Sequence, residues 1–290
     1  MTNGTIPPPN LYPEGRWTNN KTWVEYLAES LNVDLRDMAF GGATADNNIV
    51  DNENESNSTL KQKYAIWSSV KTQIDYFIQN ATQPDKYLTT YMIWIGGNDY
   101  RIIVEKNMTT KPETIIASMG ESLTRLTTSV GARKFLIYNL PPLEIAPLIQ
   151  THFTADQQDQ LKNLVEAHNA QLDVMVKNFS LNYRVTARVF DLYNLTNEIL
   201  NDPEKYQFKN VKDPCLNYYD GIFTNNSGIN DTFTTNNNVT VEHCEQADTY
   251  LFWDRLHPTA SAHRLLADKI GEYLKSPDGY CLFNELCNLG

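Results

Sequence analysis

Apolar side chains recur along this chain at two alternating periods. A 3.6-residue spacing runs through Asn20 to Leu31, where Trp23, Leu27 and Leu31 share a face and Thr18 or Asn19 stands as cap. It returns in Leu60 to Asn80 (Tyr64, Trp67, Val70, Ile74, Phe77), in Pro112 to Val130 with Gly131 beyond its end, and in Thr154 to Asn178, opened by Thr154 and Gln157 as a capping box. A last amphipathic helix is predicted over Pro258 to Lys275. Short apolar runs lie between these helices: Leu35 to Phe40, Leu88 to Ile95, Lys134 to Leu140 and Tyr183 to Leu192, the last followed by a short helix to about Asn201. The first three stop at Gly41-Gly42, Gly96-Gly97 and Pro141-Pro142, and all four read as strands. Strands alternating with helices predict βαβ units, an α/β fold and a parallel sheet that binds ligands beyond the carboxyl ends of its strands. Asp46 to Thr59 is polar and turn-like. Residues 203–250, rich in Asn, Asp, Gly and Thr, form a long loop with some hairpin content.

Composition narrows the picture. With 290 residues, 41% hydrophobic and 20% charged, the chain suits one α/β domain over 1–290, with 203–250 as an insertion. A net charge of −11 disfavours nucleic acid and anionic membrane as partners. No apolar run has the length of a membrane span, and Met1 to Pro13 has neither the basic start nor the apolar core of a leader peptide. Two features nevertheless point outside the cell. The N-x-S/T acceptor pattern occurs at Asn3, Asn20, Asn54, Asn57, Asn80, Asn107, Asn178, Asn194, Asn225, Asn230 and Asn238. The four cysteines fall in two late groups, Cys215 with Cys244 and Cys281 with Cys287, read as one disulfide across the long loop and one closing the tail. Four thiols, or a metal site using His243 beside Cys244, are the alternatives, and no C-x2-C spacing favours the metal.

Three stretches carry candidate chemistry. In Asp254-Arg255-Leu256-His257-Pro258 a carboxylate three residues before a histidine can accept the Nδ1 proton, leaving Nε2 as a base; a solvated turn is the bland reading. In Gly96-Gly97-Asn98-Asp99 the glycines permit close backbone approach, and the Asn98 amide can donate to a developing oxyanion; the bland reading is an ordinary turn. Gly41-Gly42 offers a backbone N–H in the same role, or is likewise just a turn. His152, His168 and His263 read as a loop residue, the exposed face of a long helix and a residue off the face of His257. Trp94, Tyr100 and Trp253 read as core before groove lining.

Taken in this order, each motif ending a strand, these stretches resemble the GDSL, or SGNH, hydrolase superfamily. Arg16-Trp17-Thr18-Asn19-Asn20 through Trp23-Val24-Glu25-Tyr26-Leu27-Ala28 is similar to the family's GRxSNGxxWxEYLA segment, and Asn139-Leu140-Pro141-Pro142-Leu143 to its NLPPLG turn. The likeness runs from Gly15 to Lys275 and is nearest to the long fungal- and plant-like members, acetylesterase-type carbohydrate esterases included. It implies a doubly wound, flavodoxin-like parallel sheet and a serine ester hydrolase without metal or organic cofactor. The enzyme would be a secreted monomer acting on a small ester or an acetylated saccharide. It also implies roles: His257 as general base, Asp254 as its partner, and Gly42 and Asn98 as oxyanion donors, with Asp37 standing where the family usually has Asn. The family's nucleophile block, G-D-S-x-x-D, ends its first strand ahead of the GRxSNG segment. Here fourteen residues precede Gly15, and none of the twelve serines lies in such a motif. The expectation is a chain lacking that strand, its serine and a leader, a truncated copy that turns esters over weakly and folds poorly around the gap. The alternative, from another class, is a catalytically silent relative that keeps a carbohydrate-binding groove.

Overall fold

The computed structural model describes residues 11–50, 69–80, 84–218 and 241–283. Its elements in chain order are α1 (Trp23–Leu31), α2 (Asn47–Val50), α3 (Val70–Asn80), β1 (Thr90–Ile93), α4 (Gly97–Glu105), α5 (Pro112–Val130), β2 (Lys134–Tyr138), α6 (Pro147–His152), α7 (Ala155–Tyr183), β3 (Thr186–Phe190), α8 (Leu192–Asn201), β4 (Asn210–Pro214), β5 (Leu216–Tyr218), β6 (Val241–His243), β7 (Tyr250–Phe252), α9 (Ala260–Lys275) and α10 (Tyr280–Phe283). Their contacts group into two compact units, Met1–Asp37 with Glu144–Thr154 and Asn197–Lys269, and Met38–Leu143 with Ala155–Thr196 and Ile270–Gly290.

The second unit holds the predicted parallel sheet, in the order β1-β2-β3. β2 is buried along its whole length, as expected of a strand covered on both faces. On one face Phe135 packs against Phe179 of α7 and stacks on Tyr91. On the other, Tyr138 meets Phe190, which meets Tyr273 edge-on. The helix predicted over 112–130 has those bounds, with Pro112 in its first turn and Gly131 at φ 72° ending it, where a left-handed residue is needed.

Leu35 to Phe40 is not a strand. It stands outside the described sheets, and Val33 and Leu35 are 45% and 42% exposed. β1 lies at an edge of the described three-stranded sheet, half-buried throughout. Gly97–Glu105 is a helix that the apolar pattern did not announce.

In the first unit, the segment read as a loop carries β4, paired in parallel with β7, and β5, paired antiparallel with β6. Cys215 and Cys244 form a disulfide. Cys287 lies outside the described residues, as do Asn3, Asn54, Asn57, Asn225, Asn230 and Asn238. Asn20, Asn80, Asn107, Asn178 and Asn194 are exposed. Among the described residues no helix is long and apolar enough to cross a membrane.

Candidate active site

The turn after β7 is closed by its own backbone. The N–H groups of Trp253 and Asp254 donate to the carbonyl of His257 at 2.7 and 3.4 Å, and Thr259 N–H returns to Leu251. This folds His257 back over Asp254, whose Oδ2 lies 2.8 Å and Oδ1 3.0 Å from Nδ1. The N–H groups of Leu256 and His257 both donate to Oδ1 at 2.7 Å, and the Tyr12 hydroxyl donates to Oδ2 at 2.6 Å. Burial by itself would push the Asp254 carboxyl up. The charge and hydrogen bond of His257, with the donors from Tyr12 and Leu256, hold it below the usual carboxylate range instead. An ionised carboxylate at Nδ1 fixes the tautomer with Nε2 as the base, and the His257 side chain is 33% exposed against 8% for Asp254.

The segment 12–25 frames this turn. Thr18 donates to the Pro258 carbonyl at 2.9 Å, and Asn19 Oδ1 accepts the Ala260 N–H at 2.7 Å. Neither residue caps α1, as the pattern had suggested. Thr22 does so, because Glu25 stands three residues on and completes a capping box. Asn19 instead serves the start of α9, which begins at Ala260, two residues later than expected. Burial raises the Glu25 carboxyl, but Arg16 and the Thr22 donors outweigh it and bring it down to about 2. Arg16 spans both Glu25 oxygens, at 2.8 Å from Nε and 2.6 Å from Nη2, and so anchors the segment that carries Trp17. The Trp17 ring stacks on the His257 ring, with centroids 4.8 Å apart and planes at 27°. His263 is not merely off the face: it is buried and accepts the Trp23 N–H on Nδ1 at 3.2 Å. Burial, then the charge of His257, lowers it to about 4, so it is neutral when it caps.

The candidate oxyanion donors belong to the second unit, where the structure brings Asn98 to the loop of Gly42. The Asn98 amide donates to the Ala43 carbonyl at 3.0 Å, and Gly42 holds φ 77°. Next to it, Asp99 is fully buried and receives the Ala45 N–H on both oxygens at 3.1 Å. Burial raises Asp99 to about 7 against the pull of its backbone donors. Gly96, at φ 115°, is the N-cap of α4, and a side chain there would meet His168 Cε1 at 3.2 Å and Leu140 at 3.3 Å.

His168 is therefore not on an exposed face. It is fully buried and bonded through Nδ1 to the Tyr100 hydroxyl at 2.8 Å. Leu161, Val165, Leu172, Val176 and Phe179 are the buried residues of the same helix, and His168 occupies the position in that stripe between Val165 and Leu172. Tyr100 and Trp253 are core, as read; Trp94 is half-buried. The NLPP turn is a structural joint. Asn169 brackets Leu140 through its N–H and carbonyl, and Asn139 Oδ1 accepts the Tyr193 N–H. Of the described serines, Ser30, Ser180 and Ser276 donate to main-chain carbonyls of their own segments. Among the described residues no cluster of three His, Cys, Asp or Glu is placed to hold a metal ion.

Tyr12 and Trp17 are the members of this arrangement that local pattern could not assign, because their partners lie some 240 positions away.

Comparison with known proteins gives the arrangement a context. The chain is 27% identical over 271 residues to the thermolabile hemolysin of Vibrio parahaemolyticus, covering 92% of this chain and 58% of that protein. It is 22% identical to a GDSL esterase/lipase of Arabidopsis thaliana, over 93% of this chain and 80% of the relative. It is also 22% identical to the phosphatidylcholine-sterol acyltransferase of Aeromonas hydrophila, over 94% and 84%. Among solved structures, a carbohydrate acetylesterase from Sinorhizobium meliloti aligns with TM-score 0.39 and 16% identity, over 65% of this chain and 85% of that one. The family model for GDSL-like lipase/acylhydrolase matches residues 7–270. This chain belongs to the GDSL-like lipase/acylhydrolase family of carboxylic ester hydrolases.

Proposed function

We propose that these residues supply the acid–base pair and the oxyanion donors of a serine ester hydrolase, and that its nucleophile is a serine outside the motifs of this chain. The observation that carries the reading is the imidazole of His257, held through Nδ1 by a buried carboxylate with no lack of donors. In the reaction a serine hydroxyl passes its proton to Nε2 of His257 as its oxygen attacks the acyl carbonyl. Asp254 stabilises the imidazolium. The family's oxyanion roles fall on the Gly42 N–H and the Asn98 amide. His257 returns the proton to the departing alcohol, then takes one from the water that cleaves the acyl-enzyme.

G-D-S occurs nowhere in the sequence. The chain by itself is expected to hydrolyse p-nitrophenyl acetate weakly or not at all, and a chain joined at its N-terminus to a G-D-S strand of the family to hydrolyse it in a His257-dependent way. Equal, robust, His257-dependent rates in both would overturn the nucleophile reading. The substrate is a small ester, acetylated saccharides included. Five exposed N-x-S/T acceptors and the Cys215–Cys244 disulfide support secretion as a glycoprotein, which endoglycosidase shifts of the secreted chain would test.

A further inference from the structure

The Tyr12 hydroxyl reaches Asp254 across 242 positions of sequence. Tyr12 is 1% exposed and packs in an apolar cluster with Cys215, Leu216 and Trp253. A phenol buried among such neighbours needs an acceptor. It finds Oδ2 of Asp254 at 2.6 Å, the oxygen that also lies nearest Nδ1 of His257. With the two backbone N–H groups on Oδ1, the carboxylate is fixed by three donors besides the imidazole, so it has no second orientation to fall into. Trp17 constrains the other partner. Its ring lies over the imidazole, and Tyr12 meets Trp17 edge-on with centroids 5.5 Å apart. The negative face of an indole favours a cation stacked on it.

We propose that Tyr12 and Trp17 are positioning residues of the His257–Asp254 pair: Tyr12 fixes the carboxylate and draws on its charge, and Trp17 holds the imidazole plane and favours its protonated form. The proposal rests on the reading of His257 as the general base. The two residues push the histidine in opposite directions. The phenol competes with Nδ1–H for the carboxylate, so deleting it lets Asp254 hold the imidazolium more tightly. Deleting the indole removes a favourable face. Among the described residues Tyr12 and His263 are titratable groups set against the pair, and burial and the charge of His257 lower His263 to about 4, below the range in which an imidazole ordinarily titrates.

The test is an NMR histidine titration of the full chain, with the His257 resonance assigned by its loss in His257→Gln. Tyr12→Phe is expected to raise the His257 midpoint by about half a pH unit and Trp17→Leu to lower it by about as much. Trp17→Phe, which keeps an aromatic face, should restore a near-native midpoint. Tyr12→Phe removes a single oxygen and so reads the claim in a folded chain even where Trp17→Leu unfolds. A midpoint unmoved in Tyr12→Phe, or moved the same way in both variants, overturns the proposal. Because titration is read and not turnover, the shifts without His257-dependent ester hydrolysis by the chain joined to a G-D-S strand would defeat the proposed function alone. Hydrolysis without the shifts would defeat this inference alone.

Discussion

Asp254 and Asp99 are both buried acids, one in each unit, and their surroundings drive them opposite ways. Asp254 has an imidazole, a phenol and two backbone N–H groups around it, and it stays charged with its carboxyl held low. Asp99 has the Ala45 N–H and its own N–H and, among the described residues, no cation, and burial carries its carboxyl up to about 7. Burial is the largest influence on both, so what separates them is the number and charge of the donors. A carboxylate that holds an imidazole is given partners that keep it ionised. One that only pins a loop is left to take up a proton when the pH allows.

The contrast can be broken most forcefully at Asp254. Asp254→Ala strands the phenol, two N–H groups and the imidazole together, and urea unfolding at pH 7 is expected to show a loss of about 3–5 kcal/mol. Asp99→Ala should cost clearly less in the same assay. Next comes the disulfide, whose Cys215 packs in the same cluster as Tyr12 and Trp253. Replacing both cysteines by alanine opens a loop spanning 29 positions, and chain entropy puts the loss at roughly 3–4 kcal/mol.

The pH dependence sharpens the comparison further. The folded carboxyl of Asp99 is raised above its unfolded value, so its contribution is complete below the ordinary carboxylate range and is lost as pH rises toward about 7. That of Asp254 is depressed, so its contribution is present above that range and is lost as pH falls through its lowered value. Asp99→Asn should therefore remove a decline of roughly 3 kcal/mol between pH 5 and pH 8, measured by urea unfolding at both. The smallest effect concerns the turn ahead of Asn98. Gly96→Ala meets His168 and Leu140 as well as a strained φ and should cost about 2 kcal/mol. Gly131→Ala meets nothing within 4 Å and should cost about 1 kcal/mol, from backbone conformation alone. Thermal melts of the two variants decide it.

What the sequence made legible was whatever local chemistry decides. Pro112 and Gly131 punctuate a helix without help from the rest of the chain, and Asp254 and His257 need only a three-residue turn to meet. Leu35 to Phe40 has the residues of a strand, but a strand is a relation between two segments, which composition alone does not supply, and the described sheets do not include it. The polarity of His168 suggests an exposed face, but the spacing of Leu161, Val165, Leu172, Val176 and Phe179 points it inward, and period is the stronger signal on an amphipathic helix. The Thr22–Glu25 capping box was likewise readable, whereas Asn19 serving α9 was not, since its partner lies 241 positions on. Tyr12 is the clearest case: nothing in Leu11-Tyr12-Pro13 hints at a carboxylate 242 positions away.

Covalent labelling with a fluorophosphonate tests the central claim most directly, because the reagent marks a serine that a neighbouring base activates, and loss of the label with His257 identifies that base. The chain joined to a G-D-S strand should be labelled on that serine, as read by peptide mass spectrometry. The label should vanish in His257→Ala and be absent from the 290 residues alone. A labelled serine within those residues, or labelling indifferent to His257, would contradict the account.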